Sequence, residues 1–149
     1  MPTTLKLDEF LPYRLSIASN AVSDAVATAY RTLFGLRIPE WRLMAVLAED
    51  GAMSQQALCG RTRMDKVTVS RAAIALADRG LIARATNPED QRSHLLTLSG
   101  QGWALYEQIA PKAIELERRI FAGFSQEERD QLGAMLERLE EATARLDGA

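Results

Sequence analysis

The run from Ser54 to Gly102 constrains this chain more than any other segment. Ser54 to about Arg61 reads as a short helix and is followed by a tight turn. A second helix, Asp65 to Arg79, places Val69, Ala72, Ala73, Leu76 and Ala77 at helical spacing on one side. Leu81 to Ala85 then reads as a strand, Asn87-Pro88-Glu89-Asp90 as a turn, and Ser93 to Leu98 as the returning strand. Helix, turn, helix and hairpin in that order predict a winged helix-turn-helix, a mainly α fold with a small β-wing. Such a unit sets its second helix in the DNA major groove and a basic wing tip beside it.

The chain has 149 residues, one domain's worth and enough to bury a core. Its hydrophobic share of 47% and charged share of 26% place it with globular proteins. No apolar run approaches the roughly 18 residues of a membrane span, and Met-Pro-Thr-Thr-Leu-Lys lacks the apolar stretch expected of a signal peptide. Cys59 is the sole cysteine, so no intrachain disulfide forms, and a reducing cytoplasm is the expected setting. With His94 the sole histidine, a metal site would have to be built from carboxylates, and neither metal nor cofactor is expected.

Net charge is −2, which argues against a generic polyanion binder. Its distribution is more telling. Residues 51–100 hold 7 basic and 4 acidic residues, whereas 1–50 hold 5 and 6 and 101–149 hold 6 and 10. The only positive third contains the helix-turn-helix, the footprint of a protein that meets DNA with one face.

Helices flank the motif. Asp8 to Phe34 carries Leu15, Ala18, Val22, Ala25, Ala29 and Leu33 on one stripe, with Pro12 in its first turn and Gly35 at its end. Pro39 starts a helix to about Glu49, with Trp41, Met44, Ala45, Leu47 and Ala48 facing inward and Asp50-Gly51 stopping it. Ser99 caps a long helix to about Phe121, in which Pro111 should kink or break the chain near Gln108 to Ala110. Ser125 and Glu128 form a capping box, and Leu132, Met135, Leu136, Leu139 and Leu146 make an apolar seam on the last helix. The stripes at both termini either fold back on the winged unit or pack against a second copy. Because the winged unit has its own core, the second use is the economical one. It predicts a homodimer on a pseudo-palindromic double-stranded operator. One domain is then expected, with residues 8–34 and 100–147 as dimerisation helices around a winged unit over 36–99.

Candidate DNA contacts cluster in the motif. Ser54, Gln55 and Gln56 open its first helix, where N–H groups and amides can meet phosphates. Lys66 offers a point charge to phosphate, Thr68 and Ser70 offer hydroxyls to base edges, and Arg71 offers a fork to guanine or phosphate. In the wing, Asp90 and Arg92 lie two apart, so in extended chain the carboxylate can hold the guanidinium and aim it into a narrow minor groove. His94 is counted with the DNA-facing wing. Taken singly, each of these is equally a solvated surface residue or a surface ion pair worth about 0–1 kcal/mol.

The run Asp90-Gln91-Arg92-Ser93-His94-Leu95-Leu96-Thr97-Leu98-Ser99-Gly100-Gln101-Gly102 resembles the wing signature of the MarR family: Asp-x-Arg, a strand, then Leu-(Thr/Ser)-x-x-Gly. Asp65-Lys66-Val67-Thr68-Val69-Ser70-Arg71, with Leu76-x-x-Arg79-Gly80-Leu81-Ile82-x-Arg84, resembles that family's recognition helix and its exit. Trp41 to Leu47 and Leu11 to Ser16 resemble further segments of its members, so the likeness covers nearly the whole chain. Ser99 stands where Thr is common and keeps the cap, and Gln91 replaces a frequent Arg, which weakens phosphate binding there. The resemblance implies a homodimeric transcriptional regulator, usually a repressor, often released by a small molecule bound between the dimerisation helices and the winged unit. It places Lys66, Thr68, Ser70 and Arg71 in the major groove and Asp90 and Arg92 in the wing.

Aromatic carboxylates are a frequent ligand class in that family. Arg14, expected near Tyr30 and Trp41, could pair with such a carboxylate inside an aromatic-walled pocket. Equally, Arg14 bridges surface acids while both aromatics are core. Cys59, expected on the buried side of its helix, is either a small hydrophobe or, if exposed beside Arg61 and Arg63, a redox-sensing thiol. A winged-helix dimer that binds protein rather than DNA is the other alternative. No enzyme is expected, for no nucleophile–base pair, phosphate loop or metal constellation is present, and the neighbours Ser93 and His94 point to opposite faces of a strand.

Overall fold

The computed structural model describes residues 2–147 as six helices and one hairpin. A single 3-10 turn, Leu7–Glu9, precedes α1 (Leu11–Phe34). Then come α2 (Ile38–Asp50), α3 (Gln55–Thr62), α4 (Lys66–Asp78), β1 (Ile82–Asn87), β2 (Asp90–Leu98), α5 (Gly100–Ile120) and α6 (Gln126–Asp147). The fold class expected from the sequence is the one observed. The chain divides into two compact units, residues 1–112 and 113–149.

The helix ends follow from local chemistry. The Ser54 hydroxyl accepts the N–H of Ala57 at 3.1 Å, and Asp65 Oδ1 accepts that of Thr68 at 2.8 Å, so both helices of the motif begin on side-chain caps. Gly35 ends α1 at φ 64°, a left-handed conformation that costs a residue without Cβ little. At the other end, α1 starts three residues later than Asp8, because the 3-10 turn takes up the chain before Pro12.

The core of the first unit is the three-helix motif closed by the hairpin. Leu43, Met44, Leu47, Leu58, Val69, Ala73, Leu76 and Leu96 are buried. Trp41, Ala45 and Ala48, expected to face inward on α2, are only half-buried, while Leu43 and Val46, not among the expected residues, are buried. The inward stripe of α2 is rotated by about one residue, since its neighbours α3 and α4 approach from that side. On α1 only Tyr30 is buried, and Leu15, Val22 and Leu33 of the expected stripe stand exposed.

The strands pair antiparallel, Ile82 opposite Leu98 and Thr86 opposite His94, with a register shift before Asn87 pairs with Asp90. They run longer than the sequence suggests, because Pro88 and Glu89 alone make the turn. Met53 adds a bridge to Leu96 through two hydrogen bonds of 3.1 and 2.8 Å. In α5, Gln108 to Ala110 remain helical and Pro111 does not break the helix. Proline forfeits one N–H bond to the preceding turn, and the bonds on either side carry the helix through. In the second unit, Ser125 and Glu128 form the expected reciprocal cap at 2.8 and 3.1 Å.

Candidate nucleic-acid interface

The motif's second helix, α4, buries Val69, Ala72, Ala73 and Leu76 and turns Lys66, Val67, Arg71 and Ile74 outward. Lys66 and Arg71 are thus exposed candidates for DNA contact. Thr68 and Ser70 are only half-exposed, and the Thr68 hydroxyl donates to Asp65 Oδ2 at 3.0 Å. Thr68 is thus part of the helix cap as well as a candidate groove residue. These hydrogen bonds, the backbone N–H of Thr68 first and its hydroxyl next, hold the Asp65 carboxyl below its ordinary value. The carboxylate also complements the positive end of the α4 dipole.

The turn before α4 carries Arg63 at φ 59°, the one left-handed non-glycine residue among those described. Arg61, which also precedes it, is tied to Asp50 at 3.0 Å and Glu49 at 3.3 Å, so it links α2 to α3. Cys59 on α3 is half-buried, whereas Leu58 beside it is fully buried. The buried side of that short helix belongs to Leu58, and Cys59 lies at its margin rather than within it.

The wing tip differs from the expected ion pair. Asp90 Oδ1 accepts the backbone N–H of Arg92 at 3.0 Å, and no ion pair between the two side chains forms. The reason is local: an Asp at a turn exit reaches the N–H two residues on more readily than a long flexible side chain. Asn87 acts in the same way, its Oδ1 accepting the Glu89 N–H at 3.0 Å and its Nδ2 donating to Ser93 Oγ at 3.1 Å. The tip is braced through its backbone, and Arg92 extends from it exposed.

Between the start of α3 and the hairpin lies an open cleft of about 360 Å³, lined by Ser54, Gln55, Gln56, Arg84, Asp90 and His94 among others. Directly paired residues share a sheet face. Ile82, Arg84 and Thr86 therefore lie with Leu98, Leu96 and His94. The buried leucines anchor that face, and Arg84 and His94 occupy its open end beside the start of α3. This brings Ser54, Gln55, Asp90 and His94 together around Arg84, the one guanidinium of the cleft and its candidate phosphate contact. Arg84 is a further candidate, absent from the residues that sequence reasoning singled out, and the alternation Ile82-Ala83-Arg84 is the signal that could have found it.

The expected pocket of Arg14, Tyr30 and Trp41 is not assembled within one chain. Tyr30 meets Trp41 edge to face at 5.5 Å, and Trp41 stacks on Tyr106 at 5.8 Å, with Trp103 at 5.9 Å beyond. Burial raises the Tyr30 hydroxyl above its ordinary value. Arg14 instead lies with Asp8, Tyr13 and Ile17. Sixteen residues of α1 separate it from Tyr30, about 24 Å of helix at 1.5 Å per residue. Among the described residues no metal-binding cluster occurs, and no helix is long and apolar enough to cross a membrane.

A helix-turn-helix with an exposed second helix carrying Lys66 and Arg71, a braced wing, and Arg84 in the cleft between wing and first helix defines a winged-helix DNA-binding protein. A profile of the MarR family matches residues 34–93. The chain is 28% identical over 126 residues to the homoprotocatechuate degradative operon repressor of Escherichia coli, covering 83% of this chain and 85% of that one. A probable transcriptional regulator from Pseudomonas aeruginosa superposes with a TM-score of 0.83 at 31% identity, over 90% of this chain and 99% of that one. Bordetella bronchiseptica BpsR, whose DNA binding is regulated by 6-hydroxynicotinic acid, gives 0.79 at 25% identity, over 87% and 98%. The chain belongs to the MarR family of transcriptional regulators. It is a DNA-binding regulator and not an enzyme.

Proposed function

We propose that this regulator is a cytoplasmic homodimeric repressor that binds a pseudo-palindromic operator and is released by a small aromatic carboxylate. The observation that carries the dimer is the apolar surface left uncovered in each unit of the single chain. Leu11, Leu15 and Val22 are exposed on α1, and Leu132, Met135, Leu136 and Leu139 are exposed on α6. Contiguous apolar surface of that kind marks an interface. Two copies place two winged units about one helical turn of DNA apart, matching a two-fold site.

On each half-site, Lys66 and the cleft formed by Gln55, Arg84 and His94 hold phosphates. Ser70 and Arg71 read base edges, and Arg92 enters or borders the minor groove. The effector reading is supported by the ladder Tyr30–Trp41–Tyr106–Trp103, whose faces suit a flat ring. It is supported too by the aromatic acids named for the Escherichia coli and Bordetella relatives.

Gel shift on fragments of the DNA upstream of its own gene, across a salt series and against a scrambled duplex, tests the reading. Selective binding by a species with the mass of two chains, steeply weakened by salt and by an aromatic acid, is expected. Equal, weak binding to both duplexes at every salt concentration would overturn it.

A further inference from the structure

We infer that Val67 is a specificity-determining residue that reads the C5-methyl group of a thymine in each operator half-site. The inference rests on the DNA-binding role of α4 given above and adds what that helix recognises. The residues of α4 most opposed to its buried side are Val67, Arg71, Ile74 and Asp78, spaced four, three and four apart, so they line one stripe. A helix that enters a groove with its core side against α2 and α3 must lead with that stripe. Val67 is the second residue of the helix and 57% exposed, with Ile74 at 50% further along. In a helix-turn-helix the N-terminal residues of the second helix are the ones that meet base edges.

Of the polar side chains at this end, Lys66 is assigned to phosphate, Asp65 and Thr68 form the cap, and Ser70 lies off the stripe. The Thr68 hydroxyl donates to Asp65, and Ser70 is half-buried. Both Asp65 carboxylate oxygens are taken in the cap, by the Thr68 N–H and hydroxyl. Arg71 is the one cationic fork on the stripe, one turn beyond Val67. Valine carries no donor or acceptor, so it cannot distinguish bases by hydrogen bonding. The major groove offers one apolar feature, the thymine methyl. Two methyls on a β-branched carbon with a stiff χ1 present a fixed apolar surface to it. Valine is also a poorer helix former than alanine, so its presence on an exposed position is not explained by helix stability.

The test uses the full-length protein and duplexes selected by it from a random pool. Each thymine of the selected half-site is replaced in turn by uracil, which removes only the methyl group. Expected is one thymine, or two adjacent ones, at which uracil raises Kd about threefold to fivefold, the value of one buried methyl. That penalty should vanish in Val67→Ala and persist in Arg71→Ala on the same duplexes. Val67→Thr, which keeps the β-branch and one methyl, should retain part of it. Melting temperatures no lower than the wild type's exclude a folding defect as the cause. Uracil neutral at every position, or a uracil penalty undiminished in Val67→Ala, would overturn the inference while leaving the DNA-binding role intact. Failure to select any duplex would overturn the operator reading, and this inference with it.

Discussion

Asp90 holds Arg92 through its backbone N–H, at 3.0 Å, and not through its guanidinium. The distinction predicts an unusual pair of outcomes. Asp90→Asn keeps a carbonyl oxygen that can accept the same N–H, so operator affinity should fall little. Asp90→Ala removes the brace and should weaken binding. If the carboxylate's charge were what mattered, Asn and Ala would be equally damaging. Fluorescence anisotropy on one operator duplex decides between them.

Arg92 itself extends from the tip, exposed and without an ion-pair partner among the described residues. Its removal should weaken DNA binding by about 1 kcal/mol or more and lower the salt slope by about two, one for each copy in the dimer. The melting temperature should stay nearly constant, because an exposed side chain adds little packing to the fold. Unchanged affinity across the salt series would remove the wing from the interface.

Asp65 and Glu128 cap α4 and α6, and backbone hydrogen bonds from Thr68 and Ser125 are the largest cause of their lowered pKa values. The folded chain thus binds protons on these groups less readily than the unfolded chain. Their stabilisation is complete above the unfolded value near 4 and is lost as pH falls through the lower folded value. Asp65→Asn with Glu128→Gln keeps acceptors at both caps but removes the titration. Its loss of stability as pH falls below the ordinary carboxylate value near 4 should be shallower than the wild type's. Parallel urea midpoints over that interval would contradict the assignment.

Contiguous chemistry was legible in the sequence and long-range geometry was not. Ser125 announced its helix because a cap and its N–H lie three residues apart. The hairpin followed from Asn87-Pro88 and the strands around it. The signature Ser99-x-x-Gly102 becomes intelligible only in three dimensions. The Ser99 hydroxyl donates to the Gly80 carbonyl at 2.6 Å and accepts the Gly102 N–H at 3.0 Å. Arg79 was invisible for the same reason: its guanidinium closes the end of α1, bonding the carbonyls of Phe34 and Gly35, 45 and 44 residues away. Arg14 was drawn toward Tyr30 by shared chemistry, and the rise of a straight helix keeps them apart.

Gly102 predicts a stability effect without a DNA-binding one. A Cβ there would collide with the Leu81 carbonyl oxygen and crowd Leu98 Cδ2. The first turn of α5 rests directly on the start of the hairpin, so backbone must move to admit a methyl. Gly102→Ala should cost about 1–3 kcal/mol, the range of overpacked cores. Gly100→Ala, two residues away, meets nothing within 4 Å and should be neutral or better. Chemical denaturation of the two variants side by side tests the contrast, and equal midpoints would refute it.

The apolar seam on α6 yields the last prediction. Leu136 and Leu139 are 43% and 42% exposed in a single chain, so neither has a core of its own to disrupt. Leu136→Glu with Leu139→Glu should leave helical content and the winged unit intact. In a dimer the same changes place four carboxylates in a desolvated interface, at several kcal/mol unless paired. Sedimentation should then show single chains. Operator affinity should fall steeply, since one winged unit cannot use the second half-site and loses the gain from linked binding. A double variant that sediments as two chains and binds DNA like the wild type would place the interface elsewhere, and a monomer that keeps full affinity would show that one winged unit suffices.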